Sequence, residues 1–561
     1  MFRRSRSGVI SLILLAIFFA GFVLYPLFTL GLESVKGEGG FSFQHYAQLL
    51  DPGQSGNVEA VFNSVYVALL SVVLGGLAGL LLAFCLTQLE FPLRRVLANL
   101  AIIPVALPPL VGVLAFLLVF GESGILPRLA SQLTGISASK FSLDGIAAIV
   151  VVHVYSFNVY FYLFLAAALR RLDGPQVEAS SGLGASPWRT FRSVVFPELR
   201  PALLGASILT FLSSMASFSA PLLFAGGHRF ITLQIFTTKM NGDLHLAAAQ
   251  SLALTLVSMG FFVALQVFAG SSISTGRSKG SARAGRLPVG NGVRVLLVSV
   301  TSLIVFLEML PLAVIFLVSF AKEGSWTWQL IPDSYTLENY RQLFADPHVF
   351  RPIRNSVSLS LTALAVVVLV GVGGSYLSVK GILRRVRVAA DVVMSLPYAI
   401  PGTVLAIALI LAFNHQTMIT GYNILVGTFW ILPLAYILRT YPLMIRSVSA
   451  SLAQLDDSLL EAADSVGAGE LLKFRRVIVP MILPGIVAGA SLTLVTLLGE
   501  FVSSVLLYTY ATRPIAVEIL AQVRSYNLGA AAAYCVLLLL LILAVVGTAS
   551  AFEKSRMISL E

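Results

Sequence analysis

Apolar residues run along this chain in long blocks separated by short polar stretches, rather than recurring as the narrow stripes of amphipathic helices. A bilayer core of roughly 30 Å needs about 20 consecutive apolar residues in a helix. By that ruler the pattern predicts twelve membrane-spanning helices, at about 8–30, 62–86, 97–120, 145–169, 202–225, 247–269, 295–320, 355–378, 389–413, 423–442, 484–507 and 528–552. Prolines interrupt the blocks at 97–120 and 389–413, where Pro104, Pro108, Pro397 and Pro401 are expected to kink a helix or open a turn. The first block follows Arg3, Arg4 and Arg6, as the core of a signal peptide would. It is too long for one, and Tyr25-Pro26-Leu27-Phe28 is not a small-residue cleavage site, so a retained first helix is expected.

Composition agrees with the pattern. The chain has 561 residues, 57% hydrophobic and only 11% charged, with a mean hydropathy of +0.90. Disorder is excluded, because it combines low hydrophobicity with high charge. So is an ordinary soluble enzyme, which carries about 25% charged residues. The net charge of +11 invites a nucleic-acid reading, but its distribution argues otherwise. With a cytoplasmic N-terminus, 26 of the 37 basic residues fall on inside segments, Arg439 and Arg446 among them, so the surplus reports orientation. Both termini are expected in the cytoplasm, with membrane lipid and no nucleic acid as surroundings. Cys85 and Cys535 sit inside apolar blocks and read as small hydrophobes rather than a disulfide.

The halves repeat each other in parallel. Phe43-Gln44-His45-Tyr46-Ala47-Gln48-Leu49 matches Leu337-Glu338-Asn339-Tyr340-Arg341-Gln342-Leu343. Asn63-Ser64-Val65 recurs as Asn355-Ser356-Val357, Leu93-Arg94-Arg95 as Leu383-Arg384-Arg385, and Pro104 with Pro108 as Pro397 with Pro401. Six helices per half is an even number, so both halves enter from one side, a plan used by transporters with parallel repeats. The expected layout is a first repeat at 1–270, a Gly-, Ser- and Arg-rich linker at 271–294 and a second repeat at 295–561.

The most specific signal lies in the longest inside loops, about 171–201 and 446–483. Glu178-Ala179-Ser180, Gly184, Val194, Phe196 and Pro197 return as Glu461-Ala462-Ala463, Gly467, Val477, Val479 and Pro480, with Glu178, Gly184 and Pro197 each shifted by 283. Leu172-Asp173 and Leu455-Asp456 precede an Ala-rich stretch suited to a short helix. Gly184 and Gly467 can end that helix in a left-handed conformation. A second short helix is expected next, with Pro197 and Pro480 starting the following span. Both loops resemble the glutamate-alanine-alanine loop of ATP-binding-cassette importer permeases; the first copy departs from the family pattern at Ser180 and Phe196.

That resemblance covers nearly the whole chain. It implies an all-α membrane protein of the type I importer permease fold, with about twelve transmembrane helices in two parallel six-helix repeats. It further implies that Glu178, Ala179, Gly184, Pro197, Glu461, Ala462, Ala463, Gly467 and Pro480 dock two ATPase subunits. A periplasmic or lipoprotein substrate-binding protein would deliver the solute at a bacterial inner membrane. The sequence contains no G-x-x-x-x-G-K-[ST] phosphate loop, so the chain is read as a permease without its own ATPase. No cofactor or metal is expected on it, and ATP-Mg would sit on the partners.

Intramembrane polar groups are expensive and are pathway candidates by default. Glu500, with Ser503 and Ser504, and the corresponding stretch Ser213, Ser214 and Ser217 follow the docking loops directly. The alternative is that the serines bond across helix contacts and a neighbouring helix satisfies Glu500. Glu308 is a weaker pathway candidate, and His153 and Asn158 read as packing and hydrogen-bonding partners. Single chains with two such halves resemble the ferric-iron permease group. Ferric iron therefore ranks first as solute, then 2-aminoethylphosphonate or thiamine, then polyamine or sulfate. An ion-gradient carrier or a channel would also fit the composition, but neither has a use for two docking loops.

Overall fold

The computed structural model describes residues 6–37, 39–51, 56–172, 174–269, 290–326, 328–380, 394, 397 and 400–558. Asp173, linker residues 271–289 and residues 381–393 at the start of the ninth expected span lie outside these.

A long apolar run in a bilayer has only its own backbone to satisfy its N–H and C=O groups, so it folds as a helix. Among the described residues, ten helices are long and apolar enough to cross a membrane. In chain order the principal helices are α1 (Ile13–Ser34), α2 (Gly56–Gln88), α3 (Pro109–Phe120), α4 (Gly145–Arg170), α5 (Gly174–Gly182), α6 (Pro187–Met215), α7 (Leu244–Ala269) and α8 (Asn291–Ser319). The second half contributes α9 (Pro347–Lys380), α10 (Gly402–Phe413), α11 (Ile431–Leu452), α12 (Asp457–Ser465), α13 (Phe474–Leu498), α14 (Val502–Leu507) and α15 (Leu528–Ile558).

Several expected spans change shape. The block at 97–120 is three pieces, Arg94–Leu100, Ile103–Ala106 and α3, because Pro108 (φ −54°, ψ 134°) stands extended before α3. Pro401 (φ −55°, ψ 143°) does the same before α10, which at 12 residues is only about 18 Å long. The blocks at 202–225 and 484–507 break at 216–218 and 499–501, where α6 and α13 end and short helices begin at Ser219 and Val502. The tenth helix is α11 rather than 423–442. Turns fill 423–430, and Arg439, expected on an inside flank, lies within the helix.

The second helix of each inside loop is not separate. It runs straight into α6 or α13 through a π turn, Phe191–Val195 in one repeat and Phe474–Ile478 in the other. Pro197 and Pro480 therefore sit within a continuous helix rather than at its start. Each lacks an N–H and crowds the carbonyl four residues back, and the wide turn just before it absorbs both effects.

The chain divides into two compact units, each drawing on both repeats. One is Gln48–Gln234 with Ala253–Tyr335, the other Met1–Ala47 with Ile235–Leu252 and Thr336–Glu561. In the first unit α2 packs along α4, α6 packs on both, and α8 lies against α3 and α2. A Cβ at Gly79 would overlap Phe161 and the Asn158 carbonyl, so the bare backbone sets the α2–α4 spacing. Leu82, Phe161, Leu165, Leu199 and Val305 form its buried core. In the second unit α9 packs along α11 and α13, α13 packs on α11 and α15, and α1 lies against α10. Gly485 and Gly489 give α13 a close approach to Ser447, Ser451 and Met444 on α11, and the Ser447 hydroxyl donates to the Gly485 carbonyl at 2.8 Å. The helix that opens each repeat is thus packed on the other repeat.

The repeated Asn-Ser pair acquires a role here. Asn63 donates to the Arg229 carbonyl (3.1 Å), and the Ser64 hydroxyl accepts from the Ile231 N–H (3.1 Å). In the other repeat Asn355 donates to the Ala511 and Arg513 carbonyls (2.8 and 3.0 Å), and Ser356 accepts from Ile515 (2.8 Å). One helix start thereby pins the irregular backbone that follows the broken span.

Candidate functional site

Both inside loops fold as helical hairpins of the same design. Asp456 caps α12, its carboxylate accepting from the Ser458 N–H at 2.9 Å, and that bond holds the carboxyl below the usual carboxylate range. Leu172 and Leu455, just before the two short helices, are buried and anchor them. Each helix ends on its glycine, Gly184 at φ +76° and Gly467 at φ +75°. The Gly184 and Ala185 N–H groups donate to the Ser181 and Ser180 carbonyls (3.0 and 3.2 Å). Gly467 and Ala468 donate to Asp464 and Ala463 (2.9 and 3.0 Å), closing the same two-bond C-terminal motif. The hairpin arms are tied by Ser180 to Thr190 (2.9 Å) in the first copy and by an Asp464–Lys473 ion pair in the second.

What the hairpins leave outside is as regular as what they bury. Glu178, Ala179, Gly184 and Pro197 are exposed, as are Glu461, Ala462 and Gly467, while Ala463 and Pro480 are half-buried. Neither the Glu178 nor the Glu461 carboxylate has a partner among the described residues. Leu183 and Val466, 283 positions apart, are 89% and 83% exposed at the two tips. An apolar side chain so bare beside an unpaired carboxylate is a surface suited to a protein partner.

The intramembrane candidates gather into two polar nodes, one in each compact unit. In the first, His153 on α4 meets Ser214 through Nδ1 (2.9 Å) and Ser217 through Nε2 (2.9 Å), with Ser71 of α2 at 3.2 Å from Nδ1. Ser213 is half-buried and lies outside this network. In the second node, Glu500 fills the break before α14. One carboxylate oxygen accepts from the Ser503 N–H at 2.9 Å, and the other pairs with Arg439 Nε at 2.8 Å. Ser504 donates to the Glu500 carbonyl (2.8 Å) and hydrogen-bonds Tyr436 (2.8 Å). Glu308 accepts from Asn158 at 2.9 Å and is buried between α8 and α4. A neighbouring helix satisfies Glu500, then, and Asn158 and His153 are hydrogen-bonding partners.

Arg439 escaped the sequence reading because a span end set at 442, ten residues before Leu452, made a mid-helix cation look like a flanking charge. The repeat itself held the missing signal. The 283 offset that pairs Ser217 with Glu500 also pairs His153 with Tyr436; His153 bonds Ser217, and Tyr436 bonds Ser504, one turn beyond Glu500.

Two copies of one helical plan, each with an exposed hairpin followed by a broken span, define a duplicated multi-pass membrane permease. The sequence matches the family model of the binding-protein-dependent transport system inner membrane component twice, at residues 75–272 and 370–557, and the chain belongs to that family. The ferric transport system permease protein FbpB of Actinobacillus pleuropneumoniae is 26% identical over 96% of this chain and 77% of its own. A probable ABC transporter permease protein, y4fN, of Sinorhizobium fredii is 28% identical over 82% and 81%. The molybdenum transport system permease protein ModB of Mycobacterium tuberculosis is 33% identical over 38% of this chain and 80% of its own.

Proposed function

We propose that the chain is the transmembrane subunit of an ATP-driven importer of ferric iron. Two ATPase subunits bearing ATP-Mg dock on the hairpins around Glu178 and Glu461, and a separate binding protein delivers the solute from the far side, with both termini of this chain in the cytoplasm. The observation that carries the reading is the pair of matching hairpins. Each presents an unpaired glutamate and an apolar tip, Leu183 or Val466, on a rigid turn fixed by a left-handed glycine. An exposed helix of this kind suits a helix-in-groove contact on a partner. The iron assignment rests on relatives such as the ferric transport permease, which is similar over nearly the full length.

The hairpin claim is tested by Glu461→Ala and by Gly467→Val, which forces a β-branched residue into positive φ. Uptake of radio-iron is expected to fall by about tenfold or more, equivalent to roughly 1.4 kcal/mol of lost coupling. Membrane abundance by immunoblot should stay at the wild-type level. Unchanged uptake in both variants would sink the docking role.

A further inference from the structure

The Arg439–Glu500 pair is an unusual object for the middle of a buried helix. From Ile431 to Pro442 every residue of α11 is buried except Arg439. Exposure is also unequal within the pair, with 28% of the Arg439 side chain open and only 5% of Glu500. Glu500 holds the Nε edge of the guanidinium, and among the described residues no second acceptor takes the remaining fork. Gly402 makes room for it, since any Cβ there would overlap Arg439 Nη1. Beside the pair, the Ser503 hydroxyl, and Thr403 next to Gly402, are fully buried without a hydrogen-bond partner.

A guanidinium at this depth cannot face hydrocarbon cheaply, so the opening over it is an aqueous one. Its counter-charge is tucked behind it, and the face it turns to that opening is therefore cationic. A planar fork of spare N–H donors matches the paired oxygens of a carboxylate or phosphate. The bare hydroxyls could share in the contact.

We propose that Arg439 is a recognition point on the translocation pathway for a solute that carries oxyanion groups. The cargo then crosses as an anionic, oxygen-rich complex rather than as a bare cation. Glu500 is the positioning residue that aims the guanidinium. This inference rests on the importer reading above, and its tests are chosen to fail separately from it.

Uptake of radio-iron offered as ferric citrate, in cells carrying the whole transport system, reads the recognition. Arg439→Lys, which keeps the charge but not the planar fork, is expected to lose part of the uptake and Arg439→Gln about tenfold; wild-type uptake in Arg439→Gln overturns the proposal. The exchange of Arg439→Glu with Glu500→Arg separates recognition from scaffolding. It re-forms an ion pair but turns a carboxylate toward the opening, so uptake stays low if Arg439 meets the solute. Full recovery in the exchanged variant overturns the proposal too. A substrate-free arm uses Arg439→Cys with Cys85 and Cys535 replaced by Ala. Charged, membrane-impermeant thiosulfonates should label the new thiol, and absence of labelling also overturns the proposal. Wild-type cells that take up no ferric citrate would defeat the iron assignment, and the labelling arm would still decide the site.

Discussion

At the scale of single residues, the informative side chains are those whose chemistry has only one local use. Gly184 and Gly467 could be read from sequence as helix stops because a left-handed turn penalises every residue with a Cβ. Asn63 and Asn355 could be found as repeats but not understood, since the carbonyls they bind lie more than 150 positions away. Asn355→Ala strips donors from the Ala511 and Arg513 carbonyls at once. It is expected to cost about 1–3 kcal/mol, seen as a lower melting temperature of the detergent-solubilised protein. An unchanged melting temperature would mean the loop at 511–515 is held by other contacts. Arg439 was illegible for a different reason. Whether a basic residue flanks a span or sits within it turns on the helix boundary, which is the least determinate feature of a hydropathy pattern.

At the scale of elements, prolines announced the breaks before α3 and α10: Pro108 is pushed to extended backbone by Pro109 after it, and Pro401, with no N–H to continue a preceding helix, stands extended ahead of Gly402. The π turns in α6 and α13 had no such signal. Hydropathy is blind to a change from i→i+4 to i→i+5 bonding, so the hairpin's second arm and the next span looked like two elements. The short helix α12 carries a pH dependence of its own. Its cap, Asp456, has a folded-state carboxyl pKa depressed by the Ser458 N–H, so the cap's contribution is present above the ordinary aspartate range and is lost as pH falls through the depressed value. Limited proteolysis of α12 in membranes should quicken on acidification in the wild type, and Asp456→Asn should flatten that response. Equal profiles would remove the cap from the account.

At the scale of the molecule, the number and parallel order of the repeats were plain from offsets alone. Which helix packs on which was not. In a bilayer the surroundings of a span are as apolar as its partners, so hydrophobicity fixes length without choosing neighbours, and close-packing glycines choose them instead. Because α1 belongs with α10, and α8 with α3 and α2, the linker is not a seam between independent parts. Residues 1–289 made alone should be protease-sensitive in membranes. Co-expression with 290–561 as a second chain should restore resistance and uptake. Resistance of the lone fragment equal to that of the intact protein would contradict the exchange.

The exchange of opening helices also sets a schedule. α1 leaves the ribosome first, yet the helix it packs against is made almost 370 residues later. At about 5–20 residues per second that is a wait on the order of 20–70 s. Within that interval α1 gains a first contact when α7 brings His245 to Glu33 but lacks its main partner, while the unit formed by α2, α4 and α6 can already assemble. The order of synthesis and the order of packing therefore differ in this protein, and the step that completes it is the late return to a helix inserted at the start.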